Sequence, residues 1–127
     1  MHLNYITCAN MIVTSLMQTW LKADKDEQKQ LNKDYLTFVH EQPCEISGES
    51  DVVAHHYRDS IYAQHGFPVG MGLKPPAIFC IPLSPKFHNL GDFSIHALGN
   101  SRFAKFHNFD IDIAFMSLHN NFEENNG

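Results

Sequence analysis

The sequence has few cysteines, and they are far apart. Its 127 residues include three, Cys8, Cys44 and Cys80. An odd number at this spacing does not form a disulfide framework, and without a CxxC pair it does not form a zinc knuckle. Cys80 lies within the apolar stretch AIFCIP and is predicted to be a small buried residue.

A long hydrophobic run is also missing. The most apolar part near the N-terminus, NMIVTSLMQTWL, is short and interrupted by polar residues, so no transmembrane span is predicted. It has neither a basic leading segment nor a small-residue cleavage site, so a signal peptide is not expected. The expectation is a cytoplasmic protein with no membrane partner.

Positive charge is scarce overall but unevenly distributed. Nine Lys and Arg residues face 14 Asp and Glu residues, and the formal net charge is −5. Residues 23–51 have three lysines against eight acidic residues, and residues 110–127 have four acidic residues and no basic one. Residues 52–109 have five basic residues against two acidic ones, and six of the nine histidines. Charge alone favours an ordinary solvated surface; a phosphate-binding surface, if the chain has one, lies in residues 52–109.

Hydrophobic residues are plentiful, at 43% with ten Phe, which suits one domain with a modest, Phe-rich core. Their spacing predicts one or two helices over residues 10–43, with Asp24 or Asp26 as a cap and Pro43 beyond the end. A further helix is predicted over residues 110–122, capped by Asn108 or Asp110.

Between these helices the pattern is strand, long loop, strand, helix. The stretches DVVAHH (51–56) and AIFCIPL (77–83) predict strands, and residues 57–76 between them contain three Gly and three Pro, which is typical of a loop. Residues 93–107 are predicted to contain a helix that Gly99 weakens or interrupts. The predicted fold class is therefore α+β.

Four histidines lie at the ends of these central elements. His55 and His56 end the first strand, His88 follows the second, and His96 is at the start of the next helix. Imidazole binds metals and also acts as a general base near neutral pH. Because side chains alternate along a strand, His55 and His56 are expected on opposite faces. The remaining five are interpreted as structural or exposed: His2, His40, His65, His107 and His119.

The ordered set AHHYR, GMGLKPP, IFCIPLSPKFHN and IHALGNSRFAKFHNFDID resembles the HNH (ββα-metal) nuclease superfamily. Within it, the pattern is similar to RecA-dependent, Ref-type nucleases of phages and prophages. The resemblance covers about residues 26–118. It implies a small ββα-metal core flanked by N- and C-terminal helices and long loops. We therefore divide the chain into a helical extension (1–22), an HNH-like domain (23–122) and a frayed tail (123–127).

The resemblance also implies roles for particular residues. His56 would be the general base that activates water, and His55, His88 and His96 would bind a divalent metal, Mg²⁺ or Mn²⁺ or alternatively Zn²⁺. DNA would be the substrate and a RecA-type filament a partner, in the bacterial cytoplasm. The cations expected to contact phosphates are Arg58, Lys74, Lys86, Arg102 and Lys105.

The chain departs from the family where structural cysteines are expected. Ser47 stands in place of a second cysteine after Cys44, Ser84 in place of another, and Phe87 in place of the cysteine before His88. A hydroxyl is a poor zinc ligand, so no structural zinc is predicted, and apolar packing of Phe87 would hold the loops instead.

Two functions remain open from the sequence. The first is a metal-dependent HNH endonuclease that hydrolyses DNA. The second is a degenerate HNH-derived module that binds nucleic acid or a host recombination protein without cleavage, which the acidic flanks and lost cysteines favour. Metal uptake by the histidines distinguishes the two.

Overall fold

Two short antiparallel sheets and a set of helices build this protein. The structure is a computed structural model, and it describes residues 5–8, 11–69 and 73–126. Its mixed content confirms the predicted α+β class. Among the described residues, no helix combines the length and hydrophobicity needed to span a bilayer.

The two sheets and the helices have the following bounds. The paired strands are β1 (Tyr5–Cys8) with β2 (Met11–Thr14), and β3 (Val53–His56) with β4 (Cys80–Leu83). The α-helices are α1 (Ser15–Lys22), α2 (Lys25–His40), α3 (Ile61–Gln64), α4 (Ile95–Leu98), α5 (Asn100–His107) and α6 (Ile111–Asn126). A 3₁₀ turn (Ala77–Phe79) precedes β4, and a π-helical turn (Lys86–Leu90) follows it.

The helical extension predicted over residues 1–22 is wrong for its first part, where β1 and β2 form a hairpin. Met11 and Val13 are buried while Ile12 between them is partly exposed, which is the alternation of a strand. Helix begins only after Thr14, whose side-chain oxygen accepts the backbone N–H of Met17. Residues 1–4 of the predicted extension lie outside the described residues.

Helix caps decide between the alternatives left by the sequence. Asp24 caps α2 and forms a reciprocal capping box with Glu27. Asp110 accepts the backbone N–H groups of Asp112 and Ile113 at the start of α6. That helix runs to Asn126, so the frayed tail predicted from residue 123 is wrong as far as the structure describes it.

Aromatic side chains fill much of the core, in agreement with the Phe-rich core predicted from the ten Phe of the sequence. Phe79 is fully buried; it stacks on Tyr62 with ring centroids 4.0 Å apart and meets Phe67 and Phe115 edge-on. Cys80 is fully buried, as predicted. Because all of β4 is buried, its sequence is a continuous apolar run rather than an alternating one.

The central β3–β4 unit holds the histidines. His55 pairs with Ile81 and His56 with Cys80 in the antiparallel register. In the part of the chain that the structure describes, β3 pairs only with β4, so its other edge has no strand partner. The loop predicted over residues 57–76 contains the short helix α3, and its residues 70–72 lie outside the described ranges.

Gly99 separates α4 from α5, as predicted. Its φ of +80° lies in the left-handed region, which disfavours side chains with a Cβ. The chain therefore turns there, and α5 leaves in a new direction from the residues around His96.

Candidate metal centre

Three imidazoles converge from three separate elements. His55 lies on β3, His88 in the π-helical turn and His96 on α4. One ring nitrogen from each lies within 4.8 Å of the other two, and the Nε2 atoms of His88 and His96 are 3.1 Å apart. The ring of His55 is 5.2 Å from that of His88 and 5.4 Å from that of His96.

Local structure explains why these side chains meet. The backbone N–H of His88 donates to the carbonyl of Ser84 at the end of β4, which turns the chain back over β3. Ser94 caps α4 by accepting the N–H of Ala97, and this cap places His96 in the first turn of the helix. His55 is therefore held by a strand, His88 by the turn after β4 and His96 by a capped helix.

Burial and mutual proximity favour the neutral imidazoles. Burial, together with the nearby His88 and His96, lowers the pKa of His55 to about 4. The pKa of His88 is lowered by burial and by His96. Neutral imidazole is the form that binds metal, so the lowered pKa values leave His55 and His88 available for a metal at neutral pH.

The cluster is open on one side. His55 and His88 are partly buried, whereas His96 is exposed. Catalytic metal sites commonly have three protein ligands and leave further positions for water or substrate, while structural zinc sites are closed by four. Three nitrogen ligands with one exposed member fit the open kind of site.

His56 lies apart from these three ligands, facing a cleft of about 450 Å³. The cleft is lined by Trp20, Asn32, Leu36, His56, Pro68, Lys74, Pro75, Pro76 and Ala77. Burial and the positive charge of Lys74 lower the pKa of His56. His55 therefore belongs to the cluster of candidate ligands, whereas His56 faces the cleft. The alternation of side chains along β3 predicted this separation.

Sequence reasoning missed one polar side chain in that cleft, Asn32. The Oδ1 atom of Asn32 accepts hydrogen bonds from the indole N–H of Trp20 at 3.0 Å and from the backbone N–H of Ala77 at 3.3 Å. These bonds fix the amide, so the group that Asn32 can offer to a ligand is its NH₂ donor. Asn32 stands among charged residues of an amphipathic helix, where no motif identifies it.

All five cations predicted to contact phosphates are exposed, and they lie on different parts of the chain. Lys74 lies beside His56, and Lys86 lies over the ring of Phe87 at 5.3 Å. The guanidinium of Arg58 donates to the carbonyl of Leu73. Arg102 and Lys105 lie together on α5.

Ser47 and Ser84, two of the residues found where the resemblance implies cysteines, lie beside Cys44. Burial raises the pKa of the Cys44 thiol, but hydrogen bonds from Ser47, Ser84 and Ile46 outweigh it and lower the pKa. Phe87 packs edge-on against His107 with ring centroids 5.3 Å apart. The loops that contain Cys44 and Phe87 are thus held by hydrogen bonds to the Cys44 thiol and by the contact of Phe87 with His107.

The other histidines have varied surroundings. His119 is buried and hydrogen-bonded, His107 contacts the Phe93 carbonyl, and His40 is exposed. His65 is partly buried, and His2 lies outside the described residues.

Comparison of the chain with protein families, curated proteins and solved structures found no match.

Replacing His55 with alanine is expected to weaken binding of one Zn²⁺ or Co²⁺ ion by about 100-fold or more. Loss of a residue that merely orients a ligand costs about 10- to 100-fold, and loss of the ligand itself should cost at least as much. Isothermal titration of each ion checks this, with the exposed His40→Ala as the matched control. A wild-type chain that binds neither ion, or equal losses in both variants, would contradict the site.

Proposed function

We propose that this chain is a metal-dependent DNA endonuclease of the HNH (ββα-metal) type, from a phage or prophage recombination setting. The main support is the convergence of His55, His88 and His96, which come from three elements separated in sequence. Three imidazoles within reach of one another can bind one metal ion together. The setting is an inference from the sequence resemblance.

The order of elements agrees with this proposal. Two antiparallel strands, β3 and β4, are followed by the turn that contains His88 and by α4, which contains His96. The first strand ends in the histidine doublet. This is the order of a ββα-metal core, with the helical part divided at Gly99.

The donor set fits a divalent ion of the first transition row or zinc. Imidazole suits such ions, whereas Mg²⁺ prefers oxygen ligands and retains its waters. An ion bound here would stabilise negative charge on the scissile phosphate and on the leaving 3′ oxygen. We therefore expect Mn²⁺, Co²⁺, Ni²⁺ or Zn²⁺ to support activity better than Mg²⁺ does.

His56 is the proposed general base. Its depressed pKa keeps the imidazole neutral and able to accept a proton from water at neutral pH. His55 and His56 project from opposite faces of the same strand end, and the edge of β3 that has no strand partner among the described residues lies between those faces. A phosphodiester running around this edge would have the ligand cluster on one side and the base on the other. Lys74 would contact its phosphate on the side of the cleft.

Incubation of the purified protein with supercoiled plasmid and with circular single-stranded DNA tests the proposal. We expect cleavage with transition ions, less with Mg²⁺, and none in EDTA or in the His96→Ala variant. The His40→Ala variant, altered at an exposed histidine of α2, should cut like the wild type. Metal binding without cleavage of either DNA would reject the enzyme and favour the non-cleaving binding module.

A further inference from the structure

Two phenylalanines are stacked on each other at the protein surface. Phe93 is 53% exposed and Phe106 is 58% exposed. Their rings are nearly parallel, with centroids 4.5 Å apart and an interplanar angle of 8°. Exposed aromatic area of this kind is costly in water, and when it is clustered it commonly marks a binding surface.

The pair is held firmly. Phe106 lies in the last turn of α5, and Phe93 lies in the connector before α4. The ring of His107 contacts the fully buried Phe103 with centroids 4.5 Å apart, and its Nε2 lies 2.8 Å from the Phe93 carbonyl oxygen, to which it can donate. The rings are thus positioned in advance, so a ligand need not order them on binding.

Positive charge adjoins the pair. Arg102 and Lys105 line a shallow, mainly apolar groove of about 310 Å³ together with Leu98 and Phe106. The Nε–H of Arg102 donates to the Leu98 carbonyl, which fixes its position at the groove. Helix α5 contains these two cations and no acidic residue. The chemistry of the surface is a flat apolar face next to two phosphate-binding groups.

We propose that Phe93 and Phe106 form a stacking platform for unpaired bases of single-stranded nucleic acid, with Arg102 and Lys105 on its phosphates. Bases in a duplex already have their faces covered by neighbouring bases, whereas unpaired bases stack on aromatic side chains regardless of sequence. Both the parallel rings and the adjacent cations suit this ligand better than a peptide, which has no need of two stacked rings.

The platform adjoins the candidate metal centre along the chain. Phe93 is three residues before His96, and α5 begins directly after Gly99 at the end of α4. The residues that would hold the strand are therefore close in sequence to His96, one of the candidate metal ligands. This inference rests on the proposed nuclease in one respect, because it specifies the form of DNA that the nuclease would take.

Fluorescence anisotropy with a labelled oligodeoxythymidylate in EDTA tests the platform without any cleavage. Phe106→Ala and Phe93→Ala are each expected to weaken binding by about 5- to 100-fold. Ile113→Ala, which alters an apolar side chain of similar exposure (60%) on α6, is the matched control and should bind like the wild type. A plot of the logarithm of the association constant against the logarithm of the salt concentration has a negative slope. Arg102→Gln should make that slope less steep by about 0.7, because one phosphate contact is lost.

Two further variants separate stacking from general apolar contact. Phe106→Trp should retain binding, whereas Phe106→Leu, which is apolar but not planar, should lose most of it. Equal binding by Phe106→Leu and the wild type, or equal affinity for a duplex of the same length, would overturn the proposal. So would a wild-type dimer that Phe106→Ala converts to a monomer in sedimentation, since the surface would then be a self-association face.

These measurements separate a failure of the platform from a failure of the proposed nuclease. Tight single-strand binding in EDTA without cleavage in any metal would leave the platform intact and reject the nuclease. Cleavage of duplex DNA, together with single-strand binding that Phe93→Ala and Phe106→Ala leave unchanged, would support the nuclease and reject the platform.

Discussion

Replacing His56 with alanine is expected to reduce metal-supported DNA cleavage by about 10²- to 10⁴-fold while metal binding stays unchanged. A positioned general base contributes a rate factor of that size. His56 lies outside the cluster of His55, His88 and His96 and faces the cleft, so its loss should leave the three ligands in place. Rates of plasmid nicking and titrations of Co²⁺ measure the two properties on the same preparation.

The neighbouring residue provides the matched comparison. His55→Ala should lose both metal binding and cleavage, although it alters the same kind of side chain one position away. Circular dichroism spectra that match the wild type would show that both variants fold. If His56→Ala cut at the wild-type rate, His56 would not be the base; if it lost the metal, His56 would be a fourth ligand.

The parts of the site that the sequence predicts are those with short-range signals. Two adjacent histidines after an apolar run indicate a strand end with opposite-facing imidazoles, and β3 has this form. Gly99 indicates a break in the helix, and the break lies there. The convergence of His88 and His96 with His55 followed only from the resemblance, because spacing alone does not bring distant turns together.

The parts that the sequence does not predict depend on partners far along the chain. Ile12 and Val13 suit either a helix or a strand, and it is pairing with β1 that makes β2 a strand. Phe93 and Phe106 look like two core residues among ten phenylalanines, but both rings lie at the surface, stacked on each other. The cleft beside His56 is lined in part by Trp20 from α1 and Asn32 from α2. No sequence pattern connects these two residues with His55 and His56.

His119 is the most consequential example of such a distant contact. This buried side chain on α6 lies 2.6 Å from the Ile78 carbonyl oxygen through Nε2 and 2.6 Å from Thr14 Oγ1 through Nδ1. A carbonyl only accepts, so Nε2 has the proton and Nδ1 accepts from the Thr14 hydroxyl. Thr14 in turn caps α1. One neutral imidazole therefore joins the N-terminal hairpin, α6 and the turn before β4.

Acid is expected to break this junction. Burial lowers the pKa of His119 to about 4, against about 6.5 in the unfolded chain. Between these values the unfolded chain binds a proton that the folded protein does not, so the free energy of unfolding falls as the pH falls. The full loss from His119 is about 3 kcal/mol, and about 2 kcal/mol of it should occur between pH 7 and pH 5. His55, whose pKa is also about 4, adds to the loss in the same range.

The His119→Gln variant isolates this contribution, because glutamine does not titrate. Urea unfolding at pH 7 and pH 5 should show a decrease in stability that is smaller in His119→Gln than in the wild type by about 2 kcal/mol. His40→Gln, which makes the same substitution at an exposed histidine of α2, should keep the wild-type decrease. An equal decrease in His119→Gln would mean that His119 is protonated as readily in the folded chain as in the unfolded one. The hydrogen bonds to Thr14 and Ile78 would then not hold the imidazole neutral.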